Sequence, residues 1–328
     1  MVAELKIFRS SSFDPYYNIA TEKRLLETVE PGCCVLYLWQ NQNTVVIGRN
    51  QNAWAECRTS LLEEEGGRLA RRLSGGGAVF HDLGNLNFTF IMKDEDYDLE
   101  RQLSVIQRAC GSVGIFVERS GRNDLLADGY KFSGNAFYHA QGRAYHHGTM
   151  LVNADMEKLS RYLTPSKAKL EAKGVGSVRA RVINLQELVP GLTCEALADC
   201  MEQAFAQVYG FAPEAVSLST ADLQAIEKSA QELSSWQWIY GPKLPFTFSC
   251  EKRFSWGSLC LQLQVEGGTV VSVQVYSDAI DWKIANEIST VLDNCHFIKK
   301  EMVKRVSDTL SNKEIAEDIA TFLLSQDI

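Results

Sequence analysis

The sequence predicts an α+β protein in two units, a large one built around a buried sheet and a smaller one behind it. Three observations carry this expectation. A chain of 328 residues exceeds the roughly 250 to 300 at which a single core stops growing. Continuous apolar runs such as "CCVLYLW" (33–39) read as strands covered on both faces, and amphipathic helices are interleaved with them. A composition break at "SSWQWIYGPKLPFTF" (234–248), interrupted by Pro242 and Pro245, precedes a clear amphipathic hairpin, which divides the chain into units at 1–245 and 246–328.

Taken in order, "DPYYNIATEKRLLETVEPG" reads as a helix capped by Asp14, with Pro15 in its first turn and Ile19, Leu25, Leu26 and Val29 on one face. "CCVLYLW" and "NTVVIG" follow as strands of a central sheet. "RLARR" is a short strand that runs into three glycines, and "NLNFTFIM" is the strand beyond them, so the glycine-rich turn joins two strands. A phosphate loop of the Walker type opens a helix and carries G-K-[ST], which is absent here. "RQLSVIQRACGSVG" is helical, and two hairpins come next, one turning at Asp128-Gly129 and one at Gln141-Gly142. Helices are expected at 155–163 and 193–209, the second stopped by Gly210. Between them "TPSKAKLEAKGVGSVRARV" gathers Lys167, Lys169, Lys173, Arg179 and Arg181 against the single acid Glu171, with Gly174 and Gly176 predicting a loop able to move. Beyond the break, "LCLQLQV", a Gly267-Gly268 turn and "VVSVQVYS" form the hairpin of the second unit, with helices to the end.

Composition excludes several classes. With 33 basic against 41 acidic side chains, the net charge of −8 argues against a general nucleic-acid or membrane surface, so any basic site is local. The nine cysteines are odd in number and show no C-x-x-C spacing, which predicts neither a disulfide framework nor a zinc site. No apolar run reaches the roughly 18 residues of a membrane span, and the N-terminal stretch lacks a signal-peptide core. A reducing, bacterial cytoplasm is the expected setting.

Two constellations carry chemistry. In "RRLSGGGAVFHD" (71–82), Gly75, Gly76 and Gly77 bare their backbone N–H groups for an anion, and Arg72 adds a planar donor fork suited to phosphate. A bare flexible connection accounts for the glycines equally well. In "GRNDLLADGYKFSGNA" (121–136), Asn123 and Asp124 begin one hairpin arm, and Lys131, Ser133 and Gly134 lie on the other. A lysine on a central strand calls for an anion, or else reaches solvent. Asp124 and Asp82 are hard oxygen ligands suited to a magnesium ion on a polyphosphate, and both also suit caps and turns. His146 and His147 sit in a hairpin strand, and no nucleophile elbow is present.

These motifs resemble the lipoate-protein ligases, relatives of biotin ligase and octanoyltransferase. "RRLSGGGAVFHDLGNLNFTF" is similar to their R-R-x-S-G-G-G-A-V-x-H-D block, "GRNDL" and "KFSGNA" to the second, "HHGTMLVNAD" to the third and "KGVGSVRARVINL" to the fourth. The resemblance implies a mixed-sheet catalytic domain of the biotin/lipoate ligase type with a smaller α+β accessory domain. It implies ATP and Mg2+ as cofactors, activation of lipoate to lipoyl-AMP, and transfer to a lysine of lipoyl domains. The implied acceptors are acyltransferase subunits of 2-oxoacid dehydrogenases and the glycine-cleavage H protein. It implies that Arg72, Gly77, Ala78, Val79 and Phe80 contact the nucleotide, and that Lys131 is the catalytic residue touching both lipoyl group and α-phosphate. Ser74, Gly75, Gly76, Asn123, Asp124 and His147 fall in the same binding motifs, with Asp124 the implied metal ligand. The "KGVGSVRARV" segment resembles a loop that closes over the adenylate. An apolar tunnel for the lipoyl tail is implied as well, with Phe88, Phe90 and Val79 as candidates that serve equally as core. The rival implied by the octanoyltransferase relatives is acyl transfer from an acyl carrier protein or from preformed lipoyl-AMP, for which Cys57 and Cys110 are available outside the motifs. A binding protein without catalysis is a further reading, against which Lys131 stands.

Overall fold

The computed structural model describes residues 2–121, 123–164, 182–241 and 247–326. The basic loop at 165–181 and the expected junction at Phe246 lie outside the described residues.

Among the described residues, eight strands form a mixed sheet in the order β11-β1-β2-β6-β10-β9-β8-β7. They are β1 (Glu4–Arg9), β2 (Cys33–Trp39), β6 (Asn85–Lys93), β7 (Glu118–Ser120), β8 (Asp124–Ala127), β9 (Tyr130–Ala140), β10 (Arg143–Leu151) and β11 (Glu214–Ala215). The strands β1, β2 and β11 run parallel to one another, and every other neighbour is antiparallel. Helices Leu99–Ser112 and Cys194–Tyr209 cover one face through Leu103, Ile106, Leu197, Met201 and Phe205. Helices Pro15–Thr28 and Thr220–Leu233 cover the other through Ile19, Leu25, Leu26 and Ile226. Burial from both sides is why β2 carries no alternation, all seven of its residues being buried.

The expectation that "NTVVIG" joins this sheet is corrected. It forms β3 (Thr44–Ile47) at the centre of a separate small sheet, between β4 (Arg68–Arg71) and β5 (Val79–His81). A fully buried strand signals cover on both faces and says nothing about which neighbours it pairs with. The glycine-rich turn thus connects β4 to the short β5, and β5 then leads into β6.

The smaller unit is an antiparallel sheet of β12 (Phe248–Phe254), β13 (Gly257–Glu266) and β14 (Thr269–Ser277), backed by helices Ile284–Leu292, Lys299–Thr309 and Lys313–Leu324. Its β13 alternates buried and half-exposed positions, as a sheet packed on one face requires. It has its own core, with Leu259, Leu261, Leu263, Ile288, Met302 and Ile319 at its centre. Its 277–282 segment lies on the large unit: Ser277 N–H donates to the Asn50 carbonyl at 2.9 Å, Gly76 N–H to Ala279 at 2.8 Å, and the Trp282 ring stacks on Tyr138 at 5.0 Å.

Candidate active site

The β8–β9 hairpin turns at Asp128 and Gly129, both with positive φ (51° and 78°), the conformation a two-residue hairpin turn demands. That reversal sets Lys131 opposite Leu126, and after a bulge Asp124 opposite Gly134. Lys131 Nζ pairs with Asp124 Oδ1 at 2.6 Å, with both side chains less than one-fifth exposed. Gly134 provides the room, since a Cβ there would lie 2.8 Å from Nζ. Asn123 and Asn135 brace the hairpin through paired amide bonds: Asn123 Nδ2 donates to the Asn135 carbonyl at 2.9 Å and Asn135 Nδ2 to the Asn123 carbonyl at 3.1 Å.

Arg72 is placed differently. The residue is 7% exposed, and its guanidinium donates to the protein: Nη2 to the carbonyls of Gly75 and Gly77 at 2.6 and 2.8 Å, Nη1 to that of Val46 at 3.3 Å, Nε to Ser74 Oγ at 3.1 Å. Burial pushes its pKa down to about 10, which leaves it cationic near neutrality. The turn is therefore wound around a buried charge. Gly76 takes a positive φ of 87°, and a Cβ on Gly75 would meet the Ala279 carbonyl oxygen. What approaches the bare backbone here is the protein's own smaller unit.

Ser74 Oγ lies 2.8 Å from His147 Nε2, and His147 Nδ1 lies 2.8 Å from Glu22 Oε1. The geometry is that of a serine-histidine-carboxylate relay, yet Ser74 is fully buried and its hydroxyl accepts from Arg72. A positive donor on a hydroxyl shut off from solvent weakens it as a nucleophile, so the relay props the turn. Phe80 packs against Tyr162 at 5.5 Å, while Ala78 and Val79 are half-buried and line the cavity beside it.

One cavity joins these parts. Lys131, Asp124, Asn123, Gly76 and Gly77 line one part of it, and Ile19, Trp39, Val46, Val79 and Leu151 supply apolar wall. Arg253 and Asp278 of the smaller unit, paired at 3.2 Å, border it too. Phe88 and Phe90 lie in the core on the opposite face of the sheet. Asp82 does not line the cavity, and its carboxylate accepts from the backbone N–H groups of Gly84 and Asp155. Among the described residues no cluster of three acidic, histidine or cysteine side chains stands ready for a metal ion. All nine cysteines are free, and burial pushes the thiols of Cys57 and Cys110 up to about 12, which leaves neither as a thiolate near neutrality. No helix among the described residues is long and apolar enough to cross a membrane.

Sequence reasoning missed Glu22, Trp39, His81, Asn87 and the pair from the smaller unit. Glu22 had a signal, for it lies three residues from both Ile19 and Leu25 on the apolar side of its helix, where an acid is out of place. For Arg253 and Asp278 no local pattern exists.

The mixed sheet with its lysine hairpin and glycine turn, followed by a second antiparallel unit, has the fold of solved lipoate ligase structures. The family model for the lipoyl protein ligase A/B catalytic domain matches residues 14–206, and that for the bacterial lipoate protein ligase C-terminus matches 243–323. The chain belongs to the lipoate-protein ligase A family, and it is a ligase. Among solved structures, LipL1 of P. falciparum in complex with lipoate is similar over 98% of this chain and 99% of its own, at 26% identity and a TM-score of 0.85. A lipoate-protein ligase A bound with ATP matches 74% of this chain and 99% of its own, at 22% identity and TM-score 0.64. The bipartite lipoate protein ligase of Thermoplasma acidophilum, described with its E2 lipoyl domain, matches 76% and 100%, at 22% identity and TM-score 0.65.

Proposed function

We propose that this ligase joins lipoate to ATP, forming lipoyl-AMP and pyrophosphate, and then passes the lipoyl group to a lysine of a lipoyl domain. The observation that carries the reading is the Lys131–Asp124 pair, set in one cavity with the glycine turn and an apolar wall. A carboxylic acid is ionised near neutrality, so its attack on the α-phosphorus needs alignment and charge neutralisation more than a base. Lys131 supplies the positive charge where the carboxylate and phosphate meet. Ala78, Val79 and the amides of Gly76 and Gly77 hold the nucleotide, and Arg72 and Ser74 act by shaping Gly75 to Gly77. Asp124, with phosphate oxygens, is the group that would hold a magnesium ion, whose chemistry is to neutralise the triphosphate. In the second step the acceptor amine attacks the acyl carbonyl and AMP leaves. The apolar wall around Ile19, Trp39 and Val46 takes the acyl chain.

On this reading the unit at 1–245 is the catalytic domain and 246–328 the accessory one, and the acceptors are acyltransferase subunits of 2-oxoacid dehydrogenases and the glycine-cleavage H protein, met in the cytoplasm. Similarity to structures described with lipoate, with ATP and with an E2 lipoyl domain supports it. The test is mass spectrometry of a lipoyl domain incubated with the protein, lipoate, ATP and magnesium, each omitted in turn. Modification that requires all four supports the ligase. Acylation from octanoyl carrier protein without ATP would replace it with the transferase reading, which the buried thiols disfavour.

A further inference from the structure

His146 does not line the cavity, and it faces the other side of the sheet from His147, as alternate residues of a strand do. The rings of Phe88, Phe90 and Phe137 surround it there, their centroids 5.0 to 5.9 Å from its own, and hold its plane. Both ring nitrogens are engaged all the same. Nδ1 lies 3.0 Å from the Gln102 side chain on helix Leu99–Ser112, and Nε2 lies 2.8 Å from Asn135 Oδ1. Asn135 settles the direction of the second bond. Its Nδ2 donates to the Asn123 carbonyl at 3.1 Å, so its Oδ1 is left to accept and His146 Nε2 is the donor. Gly148 leaves space for this contact, since a Cβ there would stand 2.8 Å from Asn135 Oδ1.

The carbonyl that Asn135 reaches belongs to the residue before Asp124, and it takes the Asn135 backbone N–H as well, at 2.8 Å. Few other bonds set the register here, for β8 has four residues and β7 beyond it has three. The pairing also shifts between Leu125 and Leu126, which leaves Lys131 on the turn side of a bulge and Asp124 on the far side. The Lys131–Asp124 pair therefore reaches across that bulge. Its 2.6 Å contact holds only while the far side keeps its place, because a slip of one residue turns a side chain to the opposite face.

We propose that His146 is a positioning residue of the adenylation step: by holding the Asn135 amide against the Asn123 carbonyl, it fixes the register of β8 on β9 and so the Lys131–Asp124 pair. The inference rests on the reading of Lys131 as the group that serves adenylation, and extends it to a side chain on the far face of the sheet. A histidine that only filled the core would be replaced best by another ring. One that positions the hairpin is replaced best by a side chain that donates where Nε2 does.

Three variants of the full-length protein test it. His146→Gln has an amide nitrogen that reaches as far as Nε2, His146→Asn has one that stops near Nδ1, short of Asn135, and His146→Phe keeps a ring with no donor. Two of them lack the donor, so that loss of folding in one leaves the other to decide. Lipoate-dependent pyrophosphate release gives kcat and KM, and hydrogen exchange of the 123–136 amides, read by mass spectrometry, reports the hold on the hairpin. The expected result is a kcat about tenfold or more lower in His146→Asn and His146→Phe, with the KM values for ATP and lipoate within about threefold and hairpin exchange faster. In His146→Gln both return to within about threefold of the wild type. Wild-type kcat in a folded variant without the donor, a His146→Gln no better than His146→Asn, or unchanged hairpin exchange overturns the assignment. Exchange is scored on its own: the expected exchange pattern in a protein that releases no pyrophosphate would stand for the anchor and against the ligase mechanism.

Discussion

The β8–β9 hairpin and the glycine-rich turn hold their positive charges in opposite ways. Lys131 stands on a strand with its ammonium against one carboxylate at the cavity wall, whereas Arg72, which borders the same cavity, is buried and bonded to carbonyls of its own turn. One charge is presented and the other is consumed in making a shape. On the proposed reading, cationic motifs of one sequence serve chemistry and architecture respectively, and the residue type hints at which: the ammonium is a mobile point charge, the guanidinium a rigid fork that binds several acceptors at once.

The largest effect expected of this contrast falls on Lys131→Ala. Adenylate formation, read as lipoate-dependent pyrophosphate release, should fall about a thousandfold while the variant still folds, because the Asp124 carboxylate left behind borders the cavity. Retained activity would break the comparison at its first limb. Arg72→Lys comes next, with a loss of about 3 kcal/mol in denaturant unfolding, since one ammonium cannot serve carbonyls at Val46, Gly75 and Gly77 together. Where the variant folds, the KM values for ATP and lipoate should rise together, because the whole turn is loosened. A rise for ATP alone would make Arg72 a direct phosphate ligand.

Smaller effects sharpen the distinction. Gly134→Ala puts a methyl 2.8 Å from Lys131 Nζ, the free end of a flexible side chain, so kcat should drop about tenfold with stability changed by under about 1 kcal/mol. The last test is of acid sensitivity. His81 is neutral when folded down to pH about 3 and protonates near 6.5 when unfolded, so the unfolded chain binds the extra proton first. Its contribution to stability is complete above pH 6.5 and falls by about 1.4 kcal/mol per pH unit between there and pH 3. His81→Gln should flatten the pH dependence of unfolding by about that slope, and an unchanged slope would mean the imidazole is reached by solvent.

Much of this was legible in the residues, and the failures have reasons. The Lys131 hairpin followed from Asp128-Gly129, a two-residue turn signal that fixes register, and the alternation of β13 followed from a sheet packed on one side. The small sheet was not legible, because the buried run at 44–47 looks the same whether its neighbour is β2 or β4. The enclosure of Arg72 was not legible either: its acceptors are backbone carbonyls, which every residue carries and no side-chain pattern marks. Glu22 was legible in principle as an acid out of phase with its helix, and its meaning came only once His147, 125 residues away, was seen beside it.

Gly76 carries a single amide hydrogen, and Ala279 holds it. On the proposed reading a nucleotide oxygen takes the same hydrogen and displaces that carbonyl, so seating of the 277–282 strap and occupancy of the turn would oppose each other. Reciprocity then fixes the sign of the coupling: whatever factor the strap takes from nucleotide affinity, bound nucleotide takes from the strap.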